Sequence, residues 1–226
     1  MSPKIHVAIL DDHQSIIDGY LFRLSRSPEI EVVATSFFAS DLERMLKDHL
    51  VDVLILDIQV PTSPENLNPY PILHVIPHLL QKYPRLNVLV ISVHNQAAII
   101  KNVMDAGASG YILKDDYAAI QQLGSIILSI ASGGIYLSQQ AYTQLAKKLP
   151  EENSLTPRQL EVLSLCVSYP DATTAELANR LGIANSTLRN LLSEAYIRLN
   201  VRNRAAAIAK ARQLGIITPP QPQIEV

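Results

Sequence analysis

The chain has one cysteine, Cys166, among its 226 residues, so no internal disulfide is possible and a reducing compartment is its simplest home. Cys166 lies in Leu163-Ser-Leu-Cys-Val167, a helical pattern in which a small core residue is expected rather than a reactive thiol. No apolar run approaches the ~20 residues of a membrane span. Met-Ser-Pro-Lys-Ile-His, at the amino terminus, lacks the apolar core of a secretory leader and runs directly into a strand pattern. These absences argue for a cytoplasmic protein with no membrane partner. Net charge is also small, at -2, but it is unevenly spread. Residues 1–153 hold 11 Lys and Arg against 16 Asp and Glu, whereas residues 154–217 hold 8 against 4. An acidic first part with a modestly basic second part fits a regulatory unit joined to one that touches polyphosphate.

With 48% hydrophobic residues, the chain can bury a substantial core, and its length suits two domains. Strand and helix signals alternate from Lys4 to about Ser132. Strands are expected at about Ile5–Leu10, Glu31–Ser36, Val53–Asp57, Val88–Ser92 and Gly110–Leu113. Five βα units in so short a span predict a doubly wound α/β sandwich with a five-stranded parallel sheet, because right-handed crossovers place helices on both faces.

Asp11 and Asp12, Asp57, Ser92 and Lys114 each stand at or just past the end of one of these apolar runs. In an open parallel sheet the carboxyl ends of the strands line one crevice, so these five residues converge. Three carboxylates gathered there repel one another and call for a divalent cation, and hard Mg²⁺ suits oxygen ligands that leave room for water and phosphate. A carboxylate nucleophile, a hydroxyl and an ammonium beside that cation describe a site for making and holding an acyl phosphate.

Beyond Pro150-Glu-Glu-Asn-Ser154, which reads as an exposed boundary, the pattern is helical only. Thr156 at an N-cap and Pro157 at the first helical position start one helix. A second spans about Thr174–Leu181 and a third runs to about Leu199. The two are joined by a short turn containing Gly182, the arrangement of a helix-turn-helix whose second helix enters the major groove. A fourth, about Arg204–Leu214, completes the bundle and offers a surface for pairing with a second copy. On the third helix, Leu188, Leu192, Ala195 and Leu199 face inward, leaving Ser186, Thr187, Arg189, Asn190 and Ser193 for DNA. The limits are then 1–131 for the first domain, 132–153 for a linker with a short helix, 154–217 for the helical domain and 218–226 for a tail with the composition of a disordered segment.

Six motifs carry a resemblance: Leu10-Asp-Asp-His13, Asp57-Ile-Gln-Val-Pro61, Val90-Ile-Ser-Val-His94, Ala106-Gly-Ala-Ser-Gly-Tyr-Ile-Leu-Lys-Asp115, Leu155-Thr-Pro-Arg158 and Leu199-Asn-Val-Arg-Asn-Arg204. In order and spacing they resemble the response regulators of the NarL/FixJ type, which join a flavodoxin-like receiver to a LuxR-type helix-turn-helix domain. The resemblance implies Asp57 as phosphoacceptor, with Mg²⁺ held by Asp11, Asp12, Asp57 and the backbone carbonyl of Gln59. It also implies that Ser92 and Lys114 contact the phosphoryl group and that Tyr111 is the switch aromatic. The implied partners are a sensor histidine kinase, promoter DNA and a second copy of the chain.

Two departures stand out. Pro61-Thr-Ser-Pro-Glu-Asn-Leu-Asn-Pro-Tyr-Pro71 is longer than the usual loop, and Pro77 falls inside the third helix, where it is expected to delay or kink it. His74 and His78, four apart, read as surface histidines rather than metal ligands. In the DNA-reading region Thr173, Thr174 and Glu176 stand where a basic residue is common, so nonspecific binding is expected to be weak. The reading is a phosphorylation-controlled DNA-binding regulator. The alternative is a signalling adaptor, or a phosphorylation-independent regulator, whose helical domain has little DNA affinity. An enzyme is not expected, since Gln59 occupies the position two past Asp57 where a second carboxylate would drive turnover.

Overall fold

In the computed structural model, which describes residues 4–146 and 155–217, the first part is a three-layer sandwich. The elements are β1 (Ile5–Leu10), α1 (Gln14–Leu24), β2 (Ile30–Ser36), α2 (Leu42–Asp48), β3 (Val53–Leu56), β4 (Pro61–Ser63) and β5 (Asn66–Pro69). After them come α3 (Ile72–Lys82), β6 (Asn87–Ser92), α4 (Ala97–Asp105), β7 (Gly110–Leu113), α5 (Tyr117–Gln121), α6 (Leu123–Ala131), β8 (Tyr136–Leu137) and α7 (Gln139–Leu145). The main sheet has the order β2-β1-β3-β6-β7-β8 with every pair parallel.

The period-two pattern of the strands explains the two cores. Ala8, Leu10, Leu54, Leu56, Val88, Val90 and Tyr111 pack on one face against α2, α3 and α4. Val7, Ile9, Val53, Ile55, Leu89, Ile91 and Ile112 pack on the other against α1 and α6. Because both faces are covered, the strands read as continuous apolar runs.

Three features differ from the sequence reading. The sheet has six strands rather than five, because Tyr136–Leu137 adds to β7. Gly110 makes this possible: a Cβ there would lie 2.8 Å from the Tyr136 carbonyl oxygen and 2.9 Å from Leu89. The long segment after Asp57 is an antiparallel hairpin, β4 with β5, rather than an open loop. Pro77 sits within α3, which neither starts late nor ends at it. Proline costs an N–H bond and crowds the preceding turn, but Ile72, Leu73, Ile76 and Leu79 still bury one continuous face that holds the helix. The expected boundary at Pro150–Ser154 and the tail 218–226 lie outside the described residues.

The second part is a bundle of α8 (Pro157–Ser168), α9 (Thr174–Arg180), α10 (Asn185–Arg198) and α11 (Arg204–Gln213) around Val162, Cys166, Leu177, Leu188, Leu192, Ala195 and Ala207. Thr156 and Gln159 form a capping box at the start of α8, as do Thr173 and Glu176 at α9. The Arg204 guanidinium donates to the carbonyls of Ala172 (2.8 Å), Tyr169 (2.9 Å) and Cys166 (3.2 Å), closing the end of α8 and the following turn. Cys166 is buried, its thiol pushed up by desolvation against the pull of Arg204, as suits an inert core residue.

Candidate functional site

Strand register brings the acidic and amino groups together, with Ser92 in the neighbouring ladder. The Asp57 N–H donates to the Leu10 carbonyl at 2.9 Å, extending the β1–β3 ladder by one step and setting Asp57 beside Asp11. Likewise the Lys114 N–H donates to the Ser92 carbonyl at 2.9 Å, extending the β6–β7 ladder. Lys114 then reaches across the rim: its Nζ lies 2.7 Å from Asp11 Oδ2 and 2.8 Å from Asp57 Oδ2. The side chains of Lys114, Asp11 and Asp57 are only 11%, 2% and 4% exposed, respectively.

Buried charges of this kind perturb one another. Burial raises the Asp11 pKa, the Lys114 charge draws it down, the Asp57 charge raises it again, and the net direction is up. For Lys114, burial would lower the pKa, but the charges and hydrogen bonds of Asp57 and Asp11 outweigh it and the net direction is also up. Two carboxylates against one ammonium leave negative charge uncompensated, and Asp12 adds more. Asp57 Oδ1 is buried with no hydrogen-bond partner, which is costly unless something else satisfies it. An oxygen-rich set with an orphaned carboxylate oxygen suits a hard divalent cation or a phosphoryl group. Among the described residues, Asp11, Asp12 and His13 form the group whose ligand atoms lie within 4.8 Å of one another. His13 closes the Leu10–His13 motif without a role of its own being read from the sequence; its Nδ1 lies 2.6 Å from Asp12 Oδ1 and it occupies the N-cap position of α1. Gln59 is buried just past Asp57.

Ser92 and Tyr111 are fully buried. Tyr111 donates its hydroxyl to the His94 carbonyl at 2.6 Å, pinning the loop after Ser92. Burial pushes the Tyr111 pKa up, the Ser92 hydroxyl pulling the other way. His94, the last residue of the Val90–His94 motif, is also part of this environment. It is buried beside the site, its ring held below the ordinary histidine value by desolvation, with Asp57 drawing it up and Lys114 pushing it down.

On α10, Ser186, Thr187, Arg189, Asn190 and Ser193 are all exposed, while Leu188, Leu192 and Ala195 are buried. Glu194 on the same helix accepts from Gln159 Nε2 at 2.9 Å and is thereby held toward α8. Thr173 and Glu176 are used in their capping box, so Glu176 is occupied with its own helix start. The pattern Thr173-Thr-Ala-Glu176 carries that signal in the sequence. His74 is not a surface histidine: its Nε2 lies 3.0 Å from Ser164 Oγ on α8, and burial pushes its pKa down to about 3. His78 turns its Nδ1 to the His74 carbonyl at 2.8 Å, so the two rings do not form a metal site.

A parallel sheet with a lysine-bridged acidic rim, followed by a helix-turn-helix bundle, defines a receiver joined to a DNA-binding output domain. Comparison with known proteins gives the same class. The chain belongs to the response regulators: residues 7–123 match the response regulator receiver domain, and residues 153–211 match the bacterial regulatory proteins of the luxR family. It is similar to the transcriptional regulatory protein DegU of Brevibacillus brevis, 28% identical over 235 residues, covering 94% of each chain. It is also similar to the transcriptional regulatory protein MctR of Rhizobium johnstonii, 29% identical over 218 residues, covering 96% of this chain and 97% of that one. Among solved structures, RcsB from Salmonella enterica serovar Typhimurium, bound to promoter rprA in the presence of a phosphomimetic, matches with a TM-score of 0.66 at 21% identity. That match covers 92% of this chain and 98% of the other, and it supports the fold. No helix among the described residues is long and apolar enough to cross a membrane.

Proposed function

We propose that this response regulator is phosphorylated on Asp57 by a sensor histidine kinase in the cytoplasm and binds promoter DNA as a homodimer. The observation that carries the reading is the asymmetry at Asp57: Lys114 clamps Oδ2 at 2.8 Å while Oδ1 is buried and unpartnered. In the transfer, an Asp57 oxygen forms the new bond to phosphorus as the bond to the donor nitrogen breaks. Lys114 and Ser92 then serve as donors to the phosphoryl oxygens. Asp11, Asp12, Asp57 and the Gln59 carbonyl would hold Mg²⁺, which supplies neutralisation of the charge on the transferring group.

Tyr111 is the proposed switch aromatic, since its hydroxyl holds the loop that follows Ser92. The proposed base- and phosphate-contacting set is Ser186, Thr187, Arg189, Asn190 and Ser193, and two-fold symmetry would place half-sites about one helical turn apart. Residues 1–131 form the proposed receiver body and 154–217 the output domain. Between them runs a connection, 132–153, whose β8 and α7 pack back on the sheet and α4. Turnover of an external substrate is not part of the proposal, because no acid stands two residues past Asp57. The adaptor alternative is not favoured, since the exposed face of α10 keeps Arg189 and Asn190 outward.

Gel-shift titration on genomic fragments at several salt concentrations, with and without acetyl phosphate, tests this. Specific, salt-dependent retardation that changes on phosphorylation is expected. Equal, sequence-blind binding or none under all conditions would overturn it.

A further inference from the structure

The hairpin β4–β5 and its neighbour α3 do not simply overhang the phosphoacceptor. Asn66 donates its Nδ2 to the Ser168 carbonyl at 3.1 Å, and Ser168 returns its Oγ to the Pro69 carbonyl. The Asn66 amide is oriented by its own hairpin, because Oδ1 accepts from Asn68 N at 3.2 Å and from Asn68 Nδ2 at 2.8 Å, which leaves Nδ2 directed at α8. One turn back along α8, Ser164 meets His74 at 3.0 Å. Ser164 and Ser168 are four apart on a single helix face, and both are buried. Ser168 Oγ also reaches the Ser164 carbonyl of its own helix at 3.3 Å, but its shorter bond goes to Pro69 of the receiver, and His74 partners Ser164.

A second contact lies at the other end of the output domain. Gly215, with φ of +67°, packs so closely on Gln96 that a Cβ there would sit 2.7 Å from Gln96 Cβ. Gln96 is the N-cap of α4, at the end of the loop that follows Ser92 and carries His94. The output domain therefore touches both loops that leave the candidate phosphoryl site, the one after Asp57 and the one after Ser92. Meanwhile the outward face of α10 stays exposed.

We propose that the segment Pro61–Pro71 is a docking arm that grips α8 at Ser168, beside the His74–Ser164 contact made by α3, holding the output domain on the receiver with its DNA-reading helix free. The arm begins at Pro61, four residues past Asp57, so a change at the phosphoacceptor is passed to α8 through a short, hydrogen-bonded hairpin. This deepens the reading of Asp57 as phosphoacceptor and rests on it for the signal, while the docking itself stands on the contacts above.

The test uses the full chain, its Asn66→Ala variant and the Asn66→Ala, Ser168→Ala pair, followed by hydrogen exchange at α8 amides, small-angle scattering, and intact mass after acetyl phosphate and Mg²⁺. The single variant leaves the bundle untouched, which guards against misfolding of the pair. Docking gives a more expanded scattering profile and at least about tenfold faster exchange along the C-terminal half of α8 in the variants, with mass gain retained. Scattering and exchange unchanged in both variants would overturn the docking arm. Failure of the native chain to gain mass, with the expansion still present in the variants, would sink the phosphoacceptor reading and leave the arm standing.

Discussion

Lys114 Nζ lies almost midway between Asp11 and Asp57, 2.7 Å from one carboxylate and 2.8 Å from the other. A single ammonium thus offsets two buried acids from different strands, and it does so at neutral pH. Its folded pKa is raised, so its contribution is fully present below its ordinary value and is lost only as pH rises through the higher folded one.

Replacing that ammonium leaves the carboxylates facing one another. Lys114→Ala is expected to destabilise the metal-free protein by about 3 kcal/mol, the scale for stranding a buried charge partner. Urea titration with and without Mg²⁺ checks it, and Mg²⁺ should restore more stability in the variant than in the native chain. Equal stability of variant and native protein without Mg²⁺ would mean that the bridge does not balance the rim.

Arg189, exposed on α10, is the proposed DNA contact. Arg189→Ala is expected to weaken promoter binding by about 1–3 kcal/mol, with a salt slope lower by about one where the contact is to phosphate. Fluorescence anisotropy at several salt concentrations reads both quantities. Unchanged affinity and slope would remove Arg189 from the interface.

The interdomain histidine gives a pH prediction. His74 titrates at about 3 when enclosed, against an ordinary value of 6.5. An undocked or unfolded ring takes up a proton that the docked ring refuses, so stability is complete above 6.5 and falls as pH drops toward 3, with the slope of one proton. Two groups oppose the charge on His74: His78 from its own helix and Arg158 from α8. Glu161, which lines the same cavity between α3 and α8 as His74, is already paired with Arg158. His74→Gln should flatten this dependence in urea midpoints taken from about pH 7 to about pH 4.5. An equally steep profile in the variant would place the acid sensitivity elsewhere.

The acidic rim proposed as the phosphoryl site is legible in the sequence because parallel strands put every carboxyl end on one rim. The meeting of Lys114 with Asp11 and Asp57 can be assembled from the ends of apolar runs alone. The exposed face of α10, proposed to read DNA, follows equally from helical spacing, since Leu188, Leu192 and Ala195 are the buried side. The features that the sequence hides are short or non-local. Tyr136–Leu137 is a two-residue strand behind Gly133-Gly134, too brief for an alternation to register. Pro61–Pro71 carries enough proline to read as an open loop, yet it pairs as a hairpin because its backbone and Asn66 find partners on each other and on α8. His74 looks like a surface residue because its partner, Ser164, lies 90 positions away. Glu176 is the exception: its capping box is a local pattern, visible without any coordinates.

Asp57 is the proposed destination of the phosphoryl group. After incubation with acetyl phosphate and Mg²⁺, intact-mass measurement of the native chain should show gain of one phosphoryl group, and the Asp57→Asn variant should show none. No gain in the native chain, or an equal gain in both, would contradict Asp57 as the phosphoacceptor.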